Sequence, residues 1–395
     1  MGQSQSKISP HAAEIKNWLL NSGIQNLSSD PKKKGGVSAW YEIDTNLYPF
    51  LYSEITGYAL TTFAYLHRMT GEKVLIDRAK LAANWLDRCA RLPQGGVKTR
   101  YYLVPHYETP NYSFHKGRVY TFDTAIVGYG LLQLYRLEKK QQYLDWAIEM
   151  YDFMISKMLR KDGLFYAYYD SAPKKTGEDF EKWSDQSGSF HAKLALFFAD
   201  LWRETGDDKI VAVTKKMLQA SLKLQKSSGR FVTSLKDQST HLHPHCYTME
   251  GLVYAVHVMG MKEFIPSLKK GMEWLQEAVG EDGSISTFFV NRRFDFHERS
   301  DIVAQTLRLG AILYGLKIYR NPEVKKTLER IYKHLVLFIY QGSEKQKGGM
   351  LYGAATDGLM RLHLNAWCGM FAVQAIRMYE QFVVRGEAVD LESLI

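Results

Sequence analysis

A chain of 395 residues exceeds the usual size of one domain, so either two domains or one large closed architecture is expected. Hydrophobic residues make up 46% and charged residues 24%, which supplies a sizeable core and excludes a disordered chain. The formal net charge of +9 would suit an anionic partner, yet no long basic helix, zinc-finger spacing or aromatic RNA-binding signature accompanies it, which sets nucleic acid aside.

Cys89, Cys246 and Cys368 are far apart and odd in number, which excludes a disulfide framework and fits a reducing compartment. The start of the chain has no continuous apolar run of the signal-peptide kind, and no apolar stretch is long enough to span a bilayer, so a cytoplasmic protein is expected. The opening MGQSQS does fit the Gly2 and Ser6 spacing of an N-myristoylation signal, a pattern with meaning only in a eukaryotic cell.

Pro10 opens the first predicted helix, about residues 10–23, where its missing N–H costs nothing in the first turn. A recurring unit follows: glycine, a short β-prone run, a polar and aromatic loop, then an apolar helix. Its copies are GGVSAWYEID, GGVKTRYYLV, DGLFYAYYDS, SGRFVTSLKD, DGSISTFFVN and GGMLYGAATD, marked by Gly36, Gly96, Gly163, Gly229, Gly283 and Gly349. Each interval is long enough for two helices with their connections. The first helix of a unit is apolar around much of its circumference, as in TAIVGYGLLQLYRLE, and belongs inside. The second is one-faced, as in EKVLIDRAKLAANWLDRCARL, and belongs outside. The sixth unit has only one helix, NAWCGMFAVQAIRMYEQFVV, so the lone N-terminal helix is predicted to pair with it and close a ring spanning residues 1–395 as one domain.

Twelve helices arranged as six hairpins, with short β-prone loops at one end, resemble the all-α (α/α)6 toroid of the six-hairpin glycosidase superfamily. The likeness covers nearly the whole chain. That superfamily includes unsaturated glucuronyl hydrolases and, in a related barrel, N-acylglucosamine 2-epimerases; the resemblance implies a carbohydrate-active enzyme without choosing among them.

Six loops that each precede an inner helix must gather at one end of a ring, where a pocket should open. WYEIDTNLYPFLYSE brings Trp40, Tyr41 and Tyr52 there with Glu54, and YYLVPHYETPNYSFHKGRVYTFD brings Tyr107, His115, Arg118 and Asp123. Aromatic faces stack on sugar C–H faces, while carboxylates, imidazoles and guanidinium groups bond sugar hydroxyls. Carboxylates recur at helix entrances as Asp185 in WSDQSGSFHAK, which also holds His191, as Glu250 in HPHCYTMEG, which also holds Tyr247, and as Asp301 in ERSDIVAQ, beside Arg299. An acid at a helix entrance also makes a good dipole partner, which is the alternative for each taken alone. Cleaving a sugar bond needs one carboxyl to protonate the leaving oxygen and commonly a second to activate water or attack carbon. The resemblance to the glucuronyl hydrolases implies Asp123 in YTFDTA as the acid/base; the second member is open among Asp185, Glu250 and Glu54. Paired arginines and Arg299 near the pocket would suit a carboxylated sugar.

HLHPH, with His241, His243 and His245, would present three imidazoles on one face if extended, but Pro244 interrupts it and no fourth ligand is evident, so neither a metal nor any other cofactor is expected. His245, with His363 in the RLHLNAW run that also holds Trp367, instead supports a second reading, a cofactor-free sugar epimerase working through imidazole acid/base pairs. The leading expectation is a glycoside hydrolase acting on a saccharide, with a uronate-containing one as its sharper form. A glycan-binding protein that kept the ring without the chemistry is the third.

Overall fold

The computed structural model describes residues 8–107, 117–180, 182–295, 297–355 and 357–395. Gly2, Ser6 and His115 lie outside them. Twelve α-helices occur among the described residues: α1 (Pro10–Asn21), α2 (Ser53–Thr70), α3 (Lys73–Trp85), α4 (Thr121–Glu138), α5 (Gln141–Phe153), α6 (Ala195–Thr205), α7 (Asp208–Leu222), α8 (Leu242–Val258), α9 (Ile265–Gln276), α10 (Ser300–Gly315), α11 (Pro322–Leu335) and α12 (Ala366–Met378). The even-numbered helices form the inner layer of an (α/α)6 toroid and are buried along most of their length; α10, for example, is buried from Ser300 to Tyr314. The odd-numbered helices bury one stripe each, as α11 does with Val324, Thr327, Leu328, Ile331 and Leu335. This is the division that apolar runs and one-faced runs dictate.

Each unit turns at a glycine of positive φ: Gly35, Gly95, Gly163, Gly229, Gly283 and Gly348. In the three double-glycine units the left-handed residue is therefore the first glycine of the pair, one position before the marker read from the sequence. These glycines also touch the next outer helix. A Cβ on Gly35 would lie 2.0 Å from the Leu81 carbonyl oxygen of α3, and one on Gly229 would lie 2.0 Å from that of Lys270 in α9. Both conformation and contact demand glycine there. The sixth copy, Gly348, meets Glu14 of α1 in the same way, with its Cβ position 2.4 Å from the Glu14 carbonyl oxygen. Neighbouring α1 residues Ile15 and Leu19 approach Gly369 of α12.

The loops ahead of the inner helices join into a collar at one end. Strands Trp40–Glu42 and Met360–Asn365 pair antiparallel, tying the first loop to the sixth, with Glu42 opposite His363. Phe50–Tyr52 pairs with Arg100–Tyr102, Arg118–Tyr120 with Tyr168–Asp170, and Thr240–His241 with Phe288–Val290. Between the third and fourth loops the link is a side chain: Leu235 N donates to Gln186 Oε1 at 2.9 Å. Among the described residues no helix is long and apolar enough to cross a membrane.

Candidate active site

The collar surrounds a cavity of about 340 Å³ on the toroid axis. The entrance of every inner helix reaches it: Glu54 from α2, Asp123 from α4, Phe190 from the 3-10 turn Ser189–Leu194 that leads into α6, His243 and Tyr247 from α8, Arg299 just before α10, and Trp367 from α12. Convergence of helix starts is what places polar groups from distant sequence positions around one volume.

Glu54 and Asp123 stand in the first turns of α2 and α4, where the helix dipole favours a negative charge. Burial overrides it. Burial raises the Glu54 carboxyl to about 7, against the opposing influence of a hydrogen bond from Tyr52 and the charges of Lys193 and Arg100. Asp123 is 4% exposed, and burial together with the Glu54 charge holds its carboxyl well above the ordinary aspartate range. Its Oδ2 meets no hydrogen-bond partner among the described residues. Two like-charged carboxyl groups in one enclosed volume retain a proton near neutral pH, which is what a general acid requires.

Asp185 sits just outside the cavity lining. Burial raises its carboxyl, Lys182 and Arg118 oppose that, and its charge is felt by both Asp123 and Tyr120. Glu250, by contrast, is fully buried one layer deeper and committed to cations. It accepts from Lys193 Nζ at 2.7 Å and is ion-paired with Arg308. Burial would raise its carboxyl, but Arg308 and Lys193 outweigh that and hold it below the usual range. It does not line the cavity.

The histidines separate. The helix begins at Leu242, inside HLHPH, so the three imidazoles do not share a face as an extended chain would give. His241 caps α8, its Nδ1 accepting from His243 N at 3.1 Å, and its Nε2 faces an Arg299 Nη at 2.8 Å. His243 turns to the cavity. Its Nδ1 lies 2.6 Å from Gln305 Oε1, and because Gln305 Nε2 is directed at Glu250, the amide oxygen accepts and the His243 Nδ1 donates. Burial lowers the His243 imidazole to about 4 against the pull of Asp301. His245 points the other way, toward α9: its Nδ1 accepts from Phe231 N at 3.3 Å and its ring packs edge-on against Trp274. His191 is packed against Phe190 and edge-on to Phe165, away from the cavity. Burial lowers both of these imidazoles to about 3.

Asp301 positions the wall. It binds the Arg299 guanidinium through two bonds, one of them Nε to Oδ1 at 3.1 Å, and accepts from Trp367 Nε1 at 3.0 Å. Trp40 and His363 stack at 4.7 Å and line an adjoining lobe that shares Arg100, Lys182, Tyr352 and Trp367 with the axial cavity. Tyr52 lines the axial cavity itself. Besides His191 and Asp301, three expected sugar contacts do not reach either volume: Tyr41 bonds Asn46, Tyr107 bonds Glu42, and the Arg118 guanidinium lies 3.7 Å over the Tyr168 ring. Sequence reading missed Arg100, Tyr120, Lys182, Trp183 and Tyr352 among the lining residues. Trp183 precedes Asp185 by two residues, and its aromatic, loop-borne character was the available signal; the others carry none that separates them from neighbouring loop residues.

A family model described as Glycosyl Hydrolase Family 88 matches residues 57–313. A search of curated proteins finds no match. Among solved structures, the chain is similar to a sugar epimerase from a ruminal bacterium, with a TM-score of 0.74, 14% identity and coverage of 96% of this chain and 100% of that one. It is similar to cellobiose 2-epimerase from Bacillus thermoamylovorans, with a TM-score of 0.76, 14% identity and coverage of 93% and 98%. The unsaturated glucuronyl hydrolase from Bacillus sp. GL1 matches with a TM-score of 0.66, 13% identity and coverage of 94% and 97%.

Proposed function

Since the chain belongs to Glycosyl Hydrolase Family 88 and is a glycoside hydrolase, we propose that the axial cavity holds a terminal, carboxylated sugar and that Asp123 is the general acid acting on it. The observation that carries this is the Asp123–Glu54 pair, two buried carboxyl groups on the cavity wall with their proton affinities raised. Asp123 delivers its proton to the leaving oxygen as the glycosidic bond breaks. Water adds at carbon and loses a proton to the second carboxylate, for which Glu54 on the cavity wall is the choice and Asp185 behind Tyr120 the reserve. Glu250 is not part of this chemistry, because its lone pairs are taken by Lys193 and Arg308.

Charge supports the carboxylated substrate. The lining brings the Arg100, Lys182 and Arg299 cations to one cavity, where a guanidinium can grip a carboxylate, and the relative from Bacillus sp. GL1 is an unsaturated glucuronyl hydrolase. Aromatic walls from Tyr52, Phe190, Tyr247 and Trp367 exclude water from the ring faces. The test is a panel of unsaturated glucuronyl disaccharides, saturated glucuronides and neutral glycosides, read for bond cleavage and for solvent deuterium at sugar carbons. Cleavage confined to the uronyl substrates is the expected result. Deuterium uptake without cleavage would give the site to an epimerase, and binding without either would give it to a glycan receptor.

The same proposal includes ring closure by α1, so that the whole chain is one domain. A protein lacking residues 1–23 is expected to aggregate, because the α12 face under Ile15 and Leu19 becomes exposed; a monodisperse truncated protein of wild-type stability would break that part.

A further inference from the structure

The axis of the toroid is occupied from the end opposite the cavity by the last residues of the chain. Leu391, Ser393, Leu394 and Ile395 are buried, although none of residues 387–395 is in a helix or strand. Irregular backbone in a core needs partners, and here the inner helices supply them. Leu394 N donates to Tyr129 Oη of α4 at 2.9 Å. Gln374 of α12 takes Ile395 N at 2.9 Å and donates to Ser393 O at 3.1 Å. Arg68 of α2 binds Ser393 Oγ at 2.7 Å and Glu392 at 3.1 Å. Finally, Lys193 Nζ reaches the Ile395 main-chain oxygen at 3.3 Å.

Lys193 also lies behind the cavity wall. Its ammonium lies 4.1 Å from the centre of the ring of Tyr247, a residue of the cavity wall, and it ion-pairs with Glu250. From Glu250 a chain of contacts runs through Gln305, at 3.4 Å, to His243 on the cavity wall, at 2.6 Å. The tail, the buried ion pairs and the cavity wall are thus consecutive layers on one axis.

We propose that residues 391–395 form an axial plug, and that Lys193 is the positioning residue through which the plug holds Tyr247 and the dry environment of Glu54 and Asp123. The proposal rests on the hydrolase reading of the cavity. Its physical basis is that a toroid of six inner helices has two open ends. An unplugged rear end would let water reach Lys193, Glu250 and Arg308 and, past them, Glu54, whose surroundings are Tyr52, Tyr58, Arg100, Asp123, Lys193 and Tyr247. Desolvation is the largest influence keeping the proton on Glu54, so hydration from behind moves that carboxyl down toward its ordinary value.

The test compares three changes in the full chain. Leu394→Ser with Ile395→Ser loosens the plug itself; Glu392→Ala with Ser393→Ala cuts only the Arg68 anchor and serves if the first pair fails to fold; Lys193→Met removes the link while leaving the plug. Amide exchange of residues 391–395 reports release. In the plug variants that exchange should quicken, kcat should fall roughly tenfold with little change in KM, and the acidic limb of the pH profile, set by Glu54 as the base, should move about one unit lower. Lys193→Met should reproduce the kcat loss with the tail still protected, and Lys193→Arg should restore part of it. Leu328→Ala in the outer helix α11 controls for simple destabilisation and should leave the limb in place. Quickened exchange with kcat, KM and pH limb all unchanged overturns the plug; an unchanged kcat in folded Lys193→Met overturns the role of Lys193; an equal limb shift in Leu328→Ala reduces the effect to stability and overturns both. Carboxyl titration of Glu54 by 13C NMR reads the plug without turnover, so a wild-type protein that cleaves no saccharide defeats the hydrolase reading and not the plug.

Discussion

Asp123 and Glu250 are both buried carboxylates of inner helices, Asp123 in the first turn of α4 and Glu250, expected at a helix entrance, midway along α8, and they stand in opposite electrostatic states. Asp123 shares the cavity wall with Glu54, and burial with that neighbouring charge favours its protonated form. Glu250, one layer toward the rear, faces Lys193 and Arg308 and has given its proton up. Burial raises proton affinity in both; the neighbours decide the outcome. Depth along the axis therefore separates a reactive layer from a structural one, and the two layers touch through Tyr247 and Gln305.

The largest expected effect follows from breaking the reactive layer. Asp123→Asn keeps size and removes the transferable proton, so kcat should drop by about 10²–10⁴-fold with the folded state and sugar affinity retained. Steady-state kinetics beside calorimetric binding would show it; wild-type turnover in Asp123→Asn would remove Asp123 from the chemistry. The structural layer should respond in stability instead. Glu250→Ala leaves Lys193 and Arg308 buried without their carboxylate, and denaturant unfolding should register a loss of about 3–5 kcal/mol. If Glu250→Ala instead folds with native stability and loses turnover alone, the assignment of the two layers is reversed.

Acidity sharpens the comparison. Activity that needs Glu54 as a carboxylate base should rise as pH rises through about 7, the value to which burial raises it. Stability runs the other way. A carboxyl whose folded-state proton affinity exceeds its unfolded one contributes stability fully below its unfolded pKa of about 4.3, and that contribution is lost as pH rises through the folded value. Urea midpoints of the wild type should thus decline between about pH 4.3 and 7, and Glu54→Gln should flatten the decline. Glu250 behaves oppositely, because its lowered carboxyl contributes stability above the unfolded pKa that disappears only on acidification.

The ring was legible because its causes are local: a glycine that must turn left-handed, an apolar helix to go inside, a one-faced helix to lie outside. Not legible was which residue of each double glycine takes positive φ, since sequence alone does not distinguish Gly35 from Gly36. The cavity was legible as a place, and Glu54, Asp123, Tyr52, His243, Tyr247, Arg299 and Trp367 do converge there. What sequence could not assign was partnership. Glu250 looks like Asp123 until Lys193 in FHAKLALFF and Arg308 in TLRLGAIL are seen to share its layer, and each comes from a different unit. Cations inside otherwise apolar inner helices were the available hint, because a charge there must be paired. The extended form weighed for HLHPH did not arise, for a different reason. Pro244 falls in the first turn of α8, where proline fits, so it allows the helix to begin where an extended run was considered.

The smallest effect belongs to His245, and it separates the hydrolase from the imidazole-driven alternative. A helix starting at Leu242 puts His243 and His245 on different faces, one toward the cavity and one against Phe231 and Trp274 beneath α9. His245→Asn can keep an oxygen near the Nδ1 position to accept from Phe231 N, so the backbone N–H stays paired while some ring packing is lost. Melting should fall by a few degrees, and kcat per folded molecule should stay within about twofold of wild type, as expected for a change outside the reacting groups. Imidazole acid/base chemistry through His245 demands the reverse, a collapse of turnover at nearly native stability. That outcome would mean that the ring turns toward the axis in the working enzyme, and the carboxylate mechanism would have to give way.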